Sequence, residues 1–142
     1  MLATTGVPQI GDLDLFADCT RAQLHRIGAL TTGLHIPQDH DLIREGSLAR
    51  EFIVIRSGTA RVTRETDHGV TQVADVGPGD FLGEMALLNG TRRTATVTAT
   101  TDLDVLVSSV AEFRSILEIA PSVARKVRRA SLARTSSMAL AA

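Results

Sequence analysis

A chain of 142 residues with a formal net charge of −1 makes one domain, large enough to bury a core without disulfide or metal staples. That balance excludes a general attraction to nucleic acid or anionic membrane, and four Phe with no Trp or Tyr leave few ring faces on which unpaired bases stack. Cys19 is the single cysteine, "MLATTGVPQI" has no basic region followed by an apolar core, and no apolar run is long enough to span a bilayer, so the expectation is a soluble cytoplasmic protein.

In chain order, residues 12–30 read as helix. Thr20 and Gln23 fit a capping box, and Leu24, Ile27 and Leu30 recur at helical spacing. Residues 34–108 are rich in Val, Ile and Thr and are cut by turn signals at Pro37, Glu45-Gly46, Ser57-Gly58, His68-Gly69, Gly77-Pro78-Gly79 and Asn89-Gly90. Strands this short and close predict an antiparallel sandwich or barrel. In "RTATVTATT" the alternation puts Arg93, Ala95, Val97 and Ala99 on one face and Thr94, Thr96, Thr98 and Thr100 on the other. The apolar face must be the core face, so Arg93 points inward or sits at the mouth, and Arg92 points out. Phe113, Ile116 and Leu117 then make a short helical face. Pro121 opens a second helix over about residues 121–137, which carries Arg125, Lys126, Arg128, Arg129 and Arg134 with no acid.

The chemistry gathers in "PGDFLGEMALLNGTRRTATV". Gly83 and Glu84 follow the strand-like "DFL", and a few good helix formers lead to Asn89-Gly90. A one-turn helix beginning near Glu84 presents unpaired backbone N–H groups, and Gly83 and Ala86 are small enough for an anion to approach. Glu84 accepts hydrogen bonds from a sugar hydroxyl, and Arg93 supplies a guanidinium fork for a phosphate. The set predicts a compact site for a phosphorylated sugar, with Met85, Leu87 and Leu88 as core or pocket wall.

"GEMALLNGTRRTATV" resembles the phosphate-binding cassette of cyclic nucleotide-binding domains, found in kinase regulatory subunits, gated channels and the catabolite activator family. In that resemblance Glu84 matches the acid on the ribose 2′-hydroxyl, and Arg93, not Arg92, matches the arginine on the cyclic phosphate. "DLIREGSLAREFIVIRSGTARV" is similar to the family's strand-turn-strand stretch, with Ser47 and Ala49 where an acid and a second glycine are usual. The resemblance implies a mainly β fold with flanking helices: an antiparallel β jelly-roll barrel, an N-terminal helix, a short cassette helix and two C-terminal helices. It implies one cyclic nucleotide-binding domain over residues 12–137, with tails at 1–11 and 138–142. It also implies a ligand, cAMP or cGMP, bound by Gly83, Glu84, Met85, Ala86, Arg93, Thr94 and Arg134, and a last helix that closes over the base. Thr94 stands where many family members that accept cGMP carry Thr or Ser. Arg134 falls, when Pro121 is matched to the proline opening the long helix of catabolite activator relatives, on a residue that contacts adenine. Met138 and Ala139 replace that subfamily's Thr-Ser pair. On balance cAMP is the expected ligand.

Plainer readings stand beside these. Glu84 and Arg93 as an exposed ion pair beside a turn would contribute little. His25, His35, His40 and His68 are scattered, so no metal site is expected, and no nucleophile motif or P-loop argues for an enzyme. The basic last helix reads as a solvated face of a lid or of a homodimer contact, and its "RRASL", residues 128–132, resembles a basophilic kinase site at Ser131. The expected output is a regulatory module acting on an effector protein, a second copy of itself or a further domain, without DNA or membrane contact. The rival is a jelly-roll interaction or scaffold domain whose cassette no longer binds nucleotide.

Overall fold

The computed structural model describes residues 2–3 and 10–141. The side chains of residues 2, 3, 85 and 134–141 lie outside the description. A five-stranded antiparallel sheet runs in the order β1 (Leu2–Ala3), β2 (Thr32–Ile36), β9 (Leu103–Ser109), β4 (Glu51–Ser57), β7 (Phe81–Leu82). A four-stranded antiparallel sheet runs β3 (Asp41–Ile43), β8 (Thr96–Ala99), β5 (Ala60–Thr66), β6 (Gly69–Val76). The expected jelly roll is present as two facing sheets with edges, a roll rather than a closed barrel.

The continuous apolar run "FIVI" of β4 splits by parity into two cores. Ile53 and Ile55 face the second sheet, packing with Ile36, Val97, Leu103 and Val105. Phe52 and Val54 face the helices, packing with Phe16, Leu106, Phe113, Val123 and Val127. A strand buried on both faces reads as unbroken hydrophobicity because period-two alternation has no polar side to show. Phe52 stacks on Phe113 at a ring-centroid distance of 4.3 Å, which fastens the helical layer to the middle of the sheet.

The helices follow their caps. Thr20 and Gln23 form the expected capping box, but the helix it opens, α1, covers only Arg21–Gly28. Residues 14–16 form a separate 3-10 turn closed by Cys19 N–H donating to the Phe16 carbonyl at 3.1 Å. The single helix expected over 12–30 is therefore two pieces, because a helix start capped at Thr20 cannot also be mid-helix. α3 (Val110–Ile119) starts at a Ser109–Glu112 capping box, and α4 (Pro121–Ala141) starts at its proline, continuing past the expected end at 137. The short α2 (Glu84–Asn89) sits between β7 and β8, bounded by Gly83 and Gly90, both in the left-handed conformation.

Candidate functional site

Pairing positions the site. β7 lies antiparallel to β4, with Ile53 opposite Leu82, so the chain leaves the sheet at Gly83 beside the start of β4. From the other side, residues 46–48 and 92–93 form a second junction. Gly46 N–H donates to the Arg93 carbonyl and Arg93 N–H to the Ser47 carbonyl, both at 2.8 Å, while Leu48 and Arg92 make an isolated antiparallel bridge. Arg93 is thereby fixed at its backbone three residues before β8 begins.

Its side chain runs inward, as the alternation required. Arg93 is only 7% exposed, and Val97 and Ala99 on the same face are buried. Nη1 donates to the Gly83 carbonyl at 3.1 Å and Nη2 to the Glu51 carbonyl at 2.6 Å. Two of its five N–H donors thus tie the start of α2 to the start of β4. Burial lowers the pKa of this guanidinium from its ordinary value, while the charges of Glu51 and then Glu84 act the other way; an arginine keeps its charge regardless. Arg92 differs in kind. It is exposed and donates to the Gly46 carbonyl at 3.0 Å across the junction.

Glu84 opens α2 and is wholly buried, 0% exposed. An acid shielded to that degree, electrostatically coupled to a buried guanidinium, is not a solvated surface pair, so the plainer expectation of an exposed ion pair does not hold. Gly83 is demanded by geometry twice over. Its φ is 90°, and a Cβ there would lie 2.1 Å from Arg93 Nη1 and 3.0 Å from the Glu51 carbonyl oxygen. The glycine lets the guanidinium pass directly under the backbone. Ala86 and Leu87 are buried on the inner side of α2, and Leu88 is half exposed on the outer.

The structure therefore brings Gly83, Glu84, Ala86 and Arg93 together around α2. Thr94 is exposed, on the opposite parity from Arg93 and outside the ladder of β8, which begins at Thr96. The side chains of Met85, Arg134 and Met138 lie outside the described residues. Residue-by-residue reading missed Glu51. It begins β4, opposite Ser109 of β9 and 42 residues before Arg93, and only the fold makes its carbonyl a partner of the guanidinium. Among the described residues no three His, Cys, Asp or Glu side chains converge to hold a metal ion, and no helix is long and apolar enough to cross a membrane.

The α4 helix packs against α3, against the 3-10 turn at Asp14–Phe16 and against α2, so the last helix and the cassette helix are in direct contact. Lys126 anchors it, donating to the Asp14 carbonyl at 2.6 Å and pairing with Asp18 at 3.1 Å.

Comparison with known proteins agrees with this geometry. The cyclic nucleotide-binding domain family is matched over residues 34–120, which spans β2 to the end of α3. The acetyltransferase Pat of Mycolicibacterium smegmatis is 33% identical over 116 residues, covering 82% of this chain and 35% of that protein. Among solved structures, the catabolite activator protein of Thermus thermophilus superposes with a TM-score of 0.77 at 26% identity, over 88% of this chain and 59% of that one. The regulatory domain of Toxoplasma gondii PKA, crystallised with cAMP, superposes with a TM-score of 0.68 at 29% identity, over 75% of this chain and 41% of that one. The chain spans between 26% and 35% of the length of the first curated relatives it matches. With the family matched from β2 through α3, and the roll, the short helix and the buried acid and arginine all in place, the chain belongs to the cyclic nucleotide-binding domain family.

Proposed function

We propose that this chain is a cAMP-responsive regulatory module over residues 12–137, in which Arg93 takes the cyclic phosphate, Glu84 takes a ribose hydroxyl, and α4 is the element whose position reports occupancy. The observation that carries the reading is the burial of Glu84 and Arg93 beside a glycine that has no room for a side chain. A buried guanidinium that, among the described residues, donates to the Gly83 and Glu51 carbonyls carries the charge and the planar fork that suit a phosphate monoanion. A buried carboxylate beside it is an acceptor for hydroxyls, not for a second anion, which favours a sugar joined to the phosphate.

Of the two nucleotides, the cassette favours cAMP over cGMP. Thr94 is exposed and off the Arg93 face, which leaves any hydrogen bond to a guanine dependent on a local rearrangement. Relatives add support: the T. gondii domain was solved with cAMP, and a structural neighbour from Mycobacterium smegmatis is described as a cAMP-binding acyltransferase. The direct contact of α4 with α2 supports the helix as the responding element, since any settling of α2 around a ligand changes the surface α4 rests on. Gly83, Met85, Ala86 and Arg134 complete the proposed ligand set. The receiver of the signal is a partner protein, a second copy through α4, or a further domain.

Thermal melting with each nucleotide tests this. A ligand present at a hundred times its dissociation constant stabilises the folded chain by ~2.7 kcal/mol, which raises the melting temperature of a domain this size by roughly 5–11 °C. A scaffold domain with an inactive cassette shows no shift with either nucleotide.

A further inference from the structure

The second half of α4 carries Arg128-Arg129-Ala130-Ser131-Leu132. Two guanidinium groups three and two residues before a hydroxyl, with an aliphatic side chain directly after it, form the pattern that a basophilic kinase reads with carboxylates and an apolar pocket. The structure sorts this pattern by exposure. Arg128 and Arg129 are exposed, and Leu132 is 65% exposed. Ser131 is half-buried, and its Oγ is shielded from solvent. It lies in the wall of a cavity of about 320 Å³ between α2, α3 and α4, in the company of Leu88, Leu117, Ala124, Val127 and Arg128. Arg128 and Leu132 border the same cavity but remain largely exposed, whereas the Ser131 hydroxyl is shielded within it.

We propose that Ser131 is a phosphorylation site for a basophilic protein kinase, and that it becomes an acceptor only when the second half of α4 lifts away from α2. In the transfer, the bond between the γ-phosphorus of ATP and the β–γ bridging oxygen breaks and a bond from Ser131 Oγ to that phosphorus forms. ADP departs with the bridging oxygen, and the hydroxyl proton passes to the kinase's base. A kinase must surround the acceptor oxygen, and an oxygen turned against packed helices does not meet that need until the helix opens locally. The docked contact is thin, because Leu88 on α2 and Leu132 on α4 remain 52% and 65% exposed.

The modification then keeps the helix open. A phosphoserine carries roughly −1.5 to −2 charge, and the docked cavity is walled mainly by Leu88, Leu117, Ala124, Val127 and Leu132, with Asn89 and Arg128 its polar members, so it accommodates that charge less well than open solvent does. Arg128, one turn before Ser131, is exposed at the rim of this cavity and pairs with the phosphate once it has turned to solvent. The phosphate therefore favours the state in which α4 is released from α2.

The full chain treated with ATP and a kinase that prefers Arg-Arg-x-Ser, with phosphate mapped by mass spectrometry, tests the inference. One phosphate is expected at Ser131, absent in Ser131→Ala and reduced at least tenfold in the Arg128→Gln, Arg129→Gln double variant. Val127→Ala thins the packing under α4 and raises the phosphorylation rate roughly fivefold to tenfold. Hydrogen exchange over residues 124–132 speeds up once Ser131 is phosphorylated. No phosphate at Ser131 in either the wild type or Val127→Ala overturns the site. Equal rates in those two proteins overturn the gating, and exchange unchanged by the phosphate overturns the release.

Discussion

Replacing Arg93 by alanine removes two things at once, and the structure separates them. The guanidinium donates to the Gly83 and Glu51 carbonyls, at 3.1 and 2.6 Å, and so staples α2 to the start of β4. Hydrogen bonds from a charged donor are each worth ~1.5–3 kcal/mol, but deleting the side chain also relieves the cost of burying its charge. The net loss of stability expected is ~1–3 kcal/mol, a fall in melting temperature of about 2–4 °C for each kcal/mol. Binding suffers more, because the ligand's phosphate is left with no cation in a shielded site. Truncating one member of a buried charged pair costs ~2–5 kcal/mol, which corresponds to about 30-fold to several-thousand-fold in affinity. Arg93→Lys keeps the charge but loses the fork and falls between the two. Arg92→Ala removes an exposed side chain bonded to one carbonyl and leaves affinity within about threefold. Equilibrium titration of all three variants with cAMP, on protein first shown by melting to be folded, reads the result. Equal losses at positions 92 and 93, or full affinity in folded Arg93→Ala, would refute the assignment of the inward arginine to the phosphate.

Three further outcomes follow from the same geometry. Gly83→Ala puts a Cβ into the space of Arg93 Nη1 at a φ of 90°, so it lowers stability by ~1–2 kcal/mol from backbone strain alone and weakens cAMP at least tenfold; a variant that melts and binds like wild type contradicts the close approach. Thr94→Ala changes the ratio of cAMP to cGMP affinity by no more than roughly tenfold, since one hydrogen bond is worth ~0.5–1.5 kcal/mol net, and competition titrations that show a strong cGMP preference abolished by the alanine would reverse the choice of ligand. Amide exchange in α4 slows under saturating cAMP, measured by mass spectrometry on the whole chain; exchange that ignores the ligand removes α4 from the response.

Much of this architecture is written locally. Each turn signal between Pro37 and Asn89-Gly90 falls at a real break between elements, because glycine and proline punctuate wherever they stand. The different fates of Arg92 and Arg93 are readable from alternation, even though the paired part of β8 starts only at Thr96 and residues 94–95 bend: Arg93 is buried with Val97 and Ala99, and Arg92 is exposed. Pro121 marked the start of α4 by its own backbone chemistry. What local reading could not supply is distance. Within 12–30 the cap at Thr20 is legible and starts α1, but the separate 3-10 turn at Asp14–Phe16 is not, because it is held by packing against α4. The burial of Glu84 depends on where β7 delivers it, and the role of the Glu51 carbonyl depends on the pairing of β4 with β7. Likewise β6 pairs on one side only and leaves Val70 and Val73 exposed, which its valine-rich sequence conceals.

The central claim is that the buried pair under α2 holds a cyclic nucleotide. Calorimetric titration of the purified chain with cAMP tests it most directly, with Glu84→Gln and Arg93→Ala run alongside. Saturable binding of one nucleotide per chain, weakened at least tenfold by each substitution, is the predicted result. No detectable binding of cAMP or cGMP to the folded wild-type chain at millimolar nucleotide would contradict the claim and leave the roll as an interaction domain with a silent cassette.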